Sequence, residues 1–210
     1  GRNGIYGIAA TGLANTWQHI TVVITNNDVQ SNKIFINGVE QSSSQIRSTP
    51  FNQFMDVEPN LRIGGWRINN SRRFSGQLDE IKIYTGEISQ ATVDANRTAT
   101  SLCSQPIEYR FDETKWAGVA NEVIDSSNKN YHGTAFDTQP AEGLICNAAD
   151  FSADSTDDYI SLNNAALNNA ANFTISVWAK TPNTRTQTIV SGSSGSQHNE
   201  LIMFFPNSTE

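Results

Sequence analysis

Apolar residues recur along this chain with a period of two, and no other feature constrains the fold as much. Gln18–Thr25 (QHITVVIT), 33–37 (KIFIN), 60–64 (NLRIG) and 76–84 (GQLDEIKIY) are short β-branched or alternating runs. Such runs read as strands with at least one buried face. Residues 107–111, Tyr159–Leu162, 173–179, 188–190 and Leu201–Phe205 repeat the style, separated by Gly, Asn, Asp and Ser clusters. Leu78, Ile81, Ile83 and Tyr84 are candidate core residues. Asn37-Gly38, set between two such runs, is a strong hairpin-turn signal. One short helix is expected over 89–97, with Ser89 as its N-cap. Many short strands at this spacing predict an all-β fold, a two-sheet sandwich or barrel. The segments 41–48 and 192–199 (GSSGSQHN) read as long loops, and 94–106, which ends in Pro106, reads as a junction.

Composition agrees. Asn, Ser and Thr supply 63 of 210 residues, while charged residues make up 17%. Polar surfaces of amides and hydroxyls suit strands and turns better than helices. The net charge of −7 and pI near 4.9 argue against a nucleic-acid partner, because neutralising phosphates takes an excess of Lys and Arg. No run approaches the roughly 18 apolar residues of a membrane span, so no membrane insertion is expected. The absence of an initiator Met and of a leader is read as the mark of an excised or processed segment.

Four motifs of the first half are Trp17-Gln18-His19-Ile20, Ile34-Phe35-Ile36-Asn37-Gly38, Leu61-Arg62-Ile63-Gly64-Gly65 and 74–84 (FSGQLDEIKIY). Together they resemble the closing half of a laminin-G-like module of the concanavalin A-like lectin and glucanase superfamily. Residues 109–113 (YRFDE), 123–134 (VIDSSNKNYHGT), 157–160 (DDYI) and 173–179 (FTISVWA) resemble its opening half. The resemblance implies a two-sheet antiparallel jelly-roll sandwich with one short helix. It also implies rotated order in a single domain over 1–210, with 1–96 closing, 97–106 a junction and 107–210 opening. The rival is a fragment cut across a tandem array. Two orphan half-sandwiches would expose long apolar edges, which favours one circularly permuted, monomeric domain. Cys103 before IEYRFDE and Cys146 in GLICNAADF are also similar to the modules of MshQ-type proteins of bacterial pilus systems.

An acidic, Asn-rich chain with this resemblance is expected outside the cell or at the cell surface of a bacterium. Cysteine pairs oxidise in such compartments. A Cys103–Cys146 bridge closing about 44 residues would stabilise the fold by roughly 4 kcal/mol in the chain-entropy model; the alternative is two buried free thiols.

Three chemistries deserve weighing. A glycosidase of this superfamily would resemble E-x-D-x-x-E on one strand, its carboxylates sharing a face. Asp79 and Glu80 are instead adjacent, so strict alternation sends them to opposite faces, and no catalytic residue is expected. His19, His132 and His198 sit in separate motifs, and His19 reads as a strand or turn residue. Calcium is the better hypothesis: Asp125, Asn128 and Asn130 offer oxygens around a turn, as a hard cation requires. By resemblance Asp79 and Glu113 join them at a structural site, while the bland reading is a set of Asx-turns. Third, the loop with Trp66, Arg67, Asn69, Arg72 and Arg73 combines a flat aromatic, amides and three of the fourteen basic residues. That suits a glycan, and in particular an acidic sugar. Against it, Trp66 could pack beneath its own loop. Trp17 and Trp178 are expected in the core. The function expected is non-catalytic recognition of a glycan or other extracellular ligand, with a ligand-free spacer as the alternative.

Overall fold

The structure is a computed structural model, and it describes residues 5–9, 12–25, 28–47, 61–65, 73–98, 106–151, 158–162, 167, 170, 172–182, 186–192 and 201–205. The first half of the chain supplies β1 (Ile5–Gly7), β2 (Gln18–Thr25), β3 (Lys33–Ile36), β4 (Val39–Gln41), β5 (Ser44–Arg47), β6 (Leu61–Ile63), β7 (Gln77–Tyr84) and α1 (Gln90–Arg97). The second half supplies β8 (Ile107–Tyr109), β9 (Gly133–Phe136), β10 (Gln139–Glu142), β11 (Asn147–Asp150), β12 (Tyr159–Leu162), β13 (Asn172–Lys180), β14 (Gln187–Gly192) and β15 (Leu201–Phe205).

These strands form two large antiparallel sheets. One has the order β10-β11-β7-β13-β2-β3-β4, with β8 also paired to β7; the other has the order β15-β14-β6-β12-β9. A ribbon of β1 and β5 completes the described strands. Alternation explains how the sheets meet. Ile20, Ile24, Leu78, Ile81, Ile83, Phe173, Ile175 and Val177 point from the larger sheet into one core cluster. They meet Leu61, Ile63, Ile160, Leu162, Ile189 and Val190 from the smaller sheet. The protein is therefore an all-β, two-sheet antiparallel sandwich with a single short α-helix among the described residues.

Local signals place several elements where the sequence puts them. Asn37 and Gly38 have φ of 52° and 84°, the pair of positive values that a two-residue I′ hairpin needs, and Ile36 faces Val39 across it. Ser89 caps α1 by accepting from Thr92 N. Val93 of that helix packs on Val23 and Phe35, covering part of the larger sheet's outer face.

Other elements differ from expectation. Residues 41–48 are not simply a loop: Gln41 ends β4, and Ser44–Arg47 is a strand paired to β1. A polar run carries no period, yet its backbone can still complete a ladder. β9, β10 and β11 are equally hidden in sequence, being short and rich in Ala, Gly and Pro. The expected split of Asp79 and Glu80 onto opposite faces also needs correction. Pairing between β13 and β7 shifts register between Ser176 and Trp178, and Glu80 has φ of 51°. This β-bulge adds a residue to β7, so Leu78 and Ile81, three apart, both reach the core. Trp17 and Trp178 are only half-buried, whereas Trp116 is a core residue at 4% exposure. Tyr84 is buried, but its hydroxyl turns to Asn96 Oδ1 of α1 at 2.8 Å.

Candidate functional site

Alternation within single strands decides which side chains leave the core on the smaller sheet. Leu61 and Ile63 are buried, so Arg62 of β6 faces outward; Ile160 and Leu162 are buried, so Tyr159 of β12 does the same. Register then joins them. Tyr159 lies opposite Phe136 of β9, and Ser161 lies opposite Arg62. The Tyr159 and Phe136 rings stack at 4.6 Å with 15° between their planes. The Arg62 guanidinium lies 4.2 Å from the Tyr159 centroid, a diagonal cross-strand contact within reach of long side chains. The result is a ladder, Phe136–Tyr159–Arg62, standing across three strands.

This ladder lines a cleft of about 590 Å³. Arg73 enters it from the other side, 5.9 Å from the Tyr159 centroid, with Nη1 donating to Asp158 O at 3.3 Å. Asp137 and Gln139 add a carboxylate and an amide, and Ala117 and Gly118 form a wall. That wall is fixed by Glu122, whose carboxylate accepts from Ala117 N and Gly118 N at 2.6 and 2.8 Å. Chemically the cleft offers two guanidinium groups, an amide, and an aromatic edge with Phe136 38% exposed. A guanidinium held over a ring is restrained in position and can donate in pairs to a carboxylate, a sulfate or vicinal hydroxyls.

Of the expected ligand residues, Arg73 lines this cleft, whereas Trp66, Arg67, Asn69 and Arg72 lie outside the described residues. The described residues on either side of them are Gly65, which packs on Tyr159, and Arg73. Sequence reasoning missed Arg62, Tyr159 and Phe136. The outward phase of Arg62 and Tyr159 was readable from their strands, but their juxtaposition was not.

Three of the residues expected to bind calcium, Asp125, Glu113 and Asp79, accept hydrogen bonds from backbone N–H groups. Asp125 Oδ1 accepts from Ser127 N and Glu108 N, and its Oδ2 accepts from Tyr131 N. These bonds hold the Asp125 carboxyl below its ordinary range, although burial works in the opposite sense. Asn128 and Asn130 adopt positive φ in the same turn. Glu113 Oε1 accepts from Ile124 N at 2.8 Å, and burial raises its carboxyl. Asp79 Oδ2 accepts from Leu144 N and Ile145 N, both at 3.0 Å. Burial, with Glu80 adding to it, pushes Asp79 up to about 7. Among the described residues no three carboxylate, histidine or cysteine side chains gather closely enough to hold a metal ion.

Cys146 is a free, exposed cysteine, no disulfide forms among the described residues, and Cys103 lies outside them. His19 is buried on the outer face of the larger sheet, where Nε2 lies 2.9 Å from Ser176 Oγ. This serine contact was not visible in sequence because 157 residues separate the two. Burial, reinforced by Arg97 and Lys82, lowers His19 to about 4. The group is a neutral packing residue beside Trp178, 5.1 Å away between ring centroids.

Residues 3–94 match the laminin-G family model of the concanavalin A-like lectin/glucanases superfamily. That span runs from the start of the chain into α1 and takes in β1 to β7, so it includes Arg62 and Arg73 but not Tyr159 or Phe136. Neither a curated protein nor a solved structure matches the chain. Laminin-G-like domains are generally non-catalytic, lectin-like or adhesive modules, although the wider fold also serves glycosidases. No helix among the described residues is long and apolar enough to cross a membrane.

Proposed function

We propose that this chain is a non-catalytic recognition module that binds carbohydrate in the cleft beside the Phe136–Tyr159–Arg62 ladder. The carrying observation is the ladder itself, with Arg62 held 4.2 Å over Tyr159 at the mouth of a polar cleft. A retaining or inverting glycosidase needs two carboxyl groups across the scissile bond. Asp137 is the one carboxylate among the described residues that line the cleft, which supports recognition over hydrolysis. The setting we propose is a bacterial surface or pilus-associated protein.

A glycan array with wild type and Arg62→Ala tests this reading. Binding lost in the variant, at unchanged near-ultraviolet circular dichroism, supports it. The second reading is a spacer without a ligand, favoured by the number of carboxylates that clamp loops. A wild type that binds nothing across the array would select it.

We also propose that the chain is one sandwich in rotated order, with 1–96 closing it, 97–106 joining and 107–210 opening it. Support comes from strands of the two halves lying side by side in both sheets. A solution mass near 23.0 kDa is expected for the chain folded at high dilution; a dimer that persists under those conditions would instead indicate a cut tandem array.

A further inference from the structure

The two halves of the chain are inserted into one another. In the larger sheet β13, from the second half, lies between β7 and β2 of the first. It pairs with β2 from Asn172 to Ala179 and with β7 from Thr174 to Lys180. In the smaller sheet β6, from the first half, lies between β14 and β12 of the second. The core repeats this exchange. Phe74 meets Phe151 edge-on at 6.0 Å between centroids, and Ile63 lies opposite both Ile160 and Val190.

Each half alone would therefore leave two sheets with missing central strands and half a core uncovered. Unpaired edges and contiguous apolar faces drive association with whatever completes them. What completes them is the other half, and the required contacts do not specify which molecule supplies it. The covalent link between the halves lies between Thr98, the C-cap of α1, and Pro106, just ahead of β8. Such a link acts by raising the effective concentration of one half for the other.

We infer that residues 5–98 and 106–205 are complementary docking partners that assemble without their covalent connection, and that a second copy of the chain supplies either half by exchange. Reciprocal exchange of this kind gives a closed dimer with two complete sandwiches. The cleft follows the same rule, since Arg62 and Arg73 come from the first half while Phe136 and Tyr159 come from the second. It exists only where two halves meet.

The test uses the full chain with a site-specific protease sequence placed within residues 99–105. After folding and cutting, the two pieces are expected to elute together at the mass of the uncut chain with unchanged near-ultraviolet circular dichroism. Two cut preparations, one labelled with nitrogen-15, are then unfolded, mixed and refolded. Native mass spectrometry should show all four combinations of halves in equal amounts. Pieces that separate or precipitate on cutting, or a refolded mixture without hybrids, would overturn the inference. Uncut chain refolded at rising concentration should yield a growing dimer fraction with the monomer's spectrum; a chain that stays monomeric throughout would refute exchange between copies.

Discussion

Arg62 and Tyr159 stand 4.2 Å apart, guanidinium over ring, although 97 positions separate them in the sequence and they belong to opposite halves of the chain. Their contact depends on the register between β6 and β12, in which Leu61, Arg62 and Ile63 face Leu162, Ser161 and Ile160. A cation over an aromatic ring at a partly exposed site is worth about 0.5–1 kcal/mol. A double-mutant cycle of Arg62→Ala and Tyr159→Ala, read by urea unfolding, should return a coupling of about that size. Arg62→Lys should keep the charge but lose most ligand binding, because an ammonium neither stacks flat nor donates in pairs. Full binding by the lysine variant would mean that charge alone matters.

Gly64 tests the packing beneath the cleft. Its φ is 78°, and a β-carbon there would lie 2.2 Å from Phe151 Cε1. Phe151 is itself buried against Phe74, so it has little room to retreat. Gly64→Ala combines overpacking with a left-handed backbone and should cost about 3 kcal/mol. A melting temperature within a degree of wild type would show that Phe151 moves freely.

Asp79 and His19 should give opposite pH dependences. Asp79 titrates near 7 when folded, against an ordinary 3.8, so the folded state holds the extra proton between those values. Its stabilising contribution is complete below about pH 4 and is lost as pH rises to about 7. His19 titrates near 4 when folded, against 6.5, so there the unfolded state holds the extra proton. Its contribution is complete above about pH 6.5 and is lost as pH falls to about 4. Across the shared window the two slopes oppose, and wild-type stability should be nearly flat. Asp79→Asn should then become more stable from pH 4 to 6.5, and His19→Gln less stable over the same range. Each slope should approach 1.4 kcal/mol per pH unit at most. Parallel curves for both variants and wild type, by urea unfolding at stepped pH, would contradict this account.

Cys146 should react with a thiol reagent in the folded protein, because it is free and exposed. Cys146→Ser should remove that reactivity and leave the melting temperature unchanged. Protein purified without reductant that shows no reactive thiol would indicate that the Cys103–Cys146 bridge forms after all.

The amino-acid sequence by itself determined the elements whose causes are local. β2, β12 and β15 begin and end where alternation says, Asn37-Gly38 makes its hairpin, and Ser89 opens the helix. Local steric preferences, turn chemistry and period are properties of neighbouring residues, so they are legible without a fold. The β-bulge at Glu80, the burial of Asp79 and His19, and the strands β9 to β11 were not legible in this way. They arise from partners far away in the chain. Tertiary structure alone decided that β13 enters between β7 and β2, and that Arg62, Tyr159 and Phe136 share one face across three strands. Alternation tells a side chain which face of its own strand to occupy. Only packing of the two sheets sets the register that chooses its neighbours.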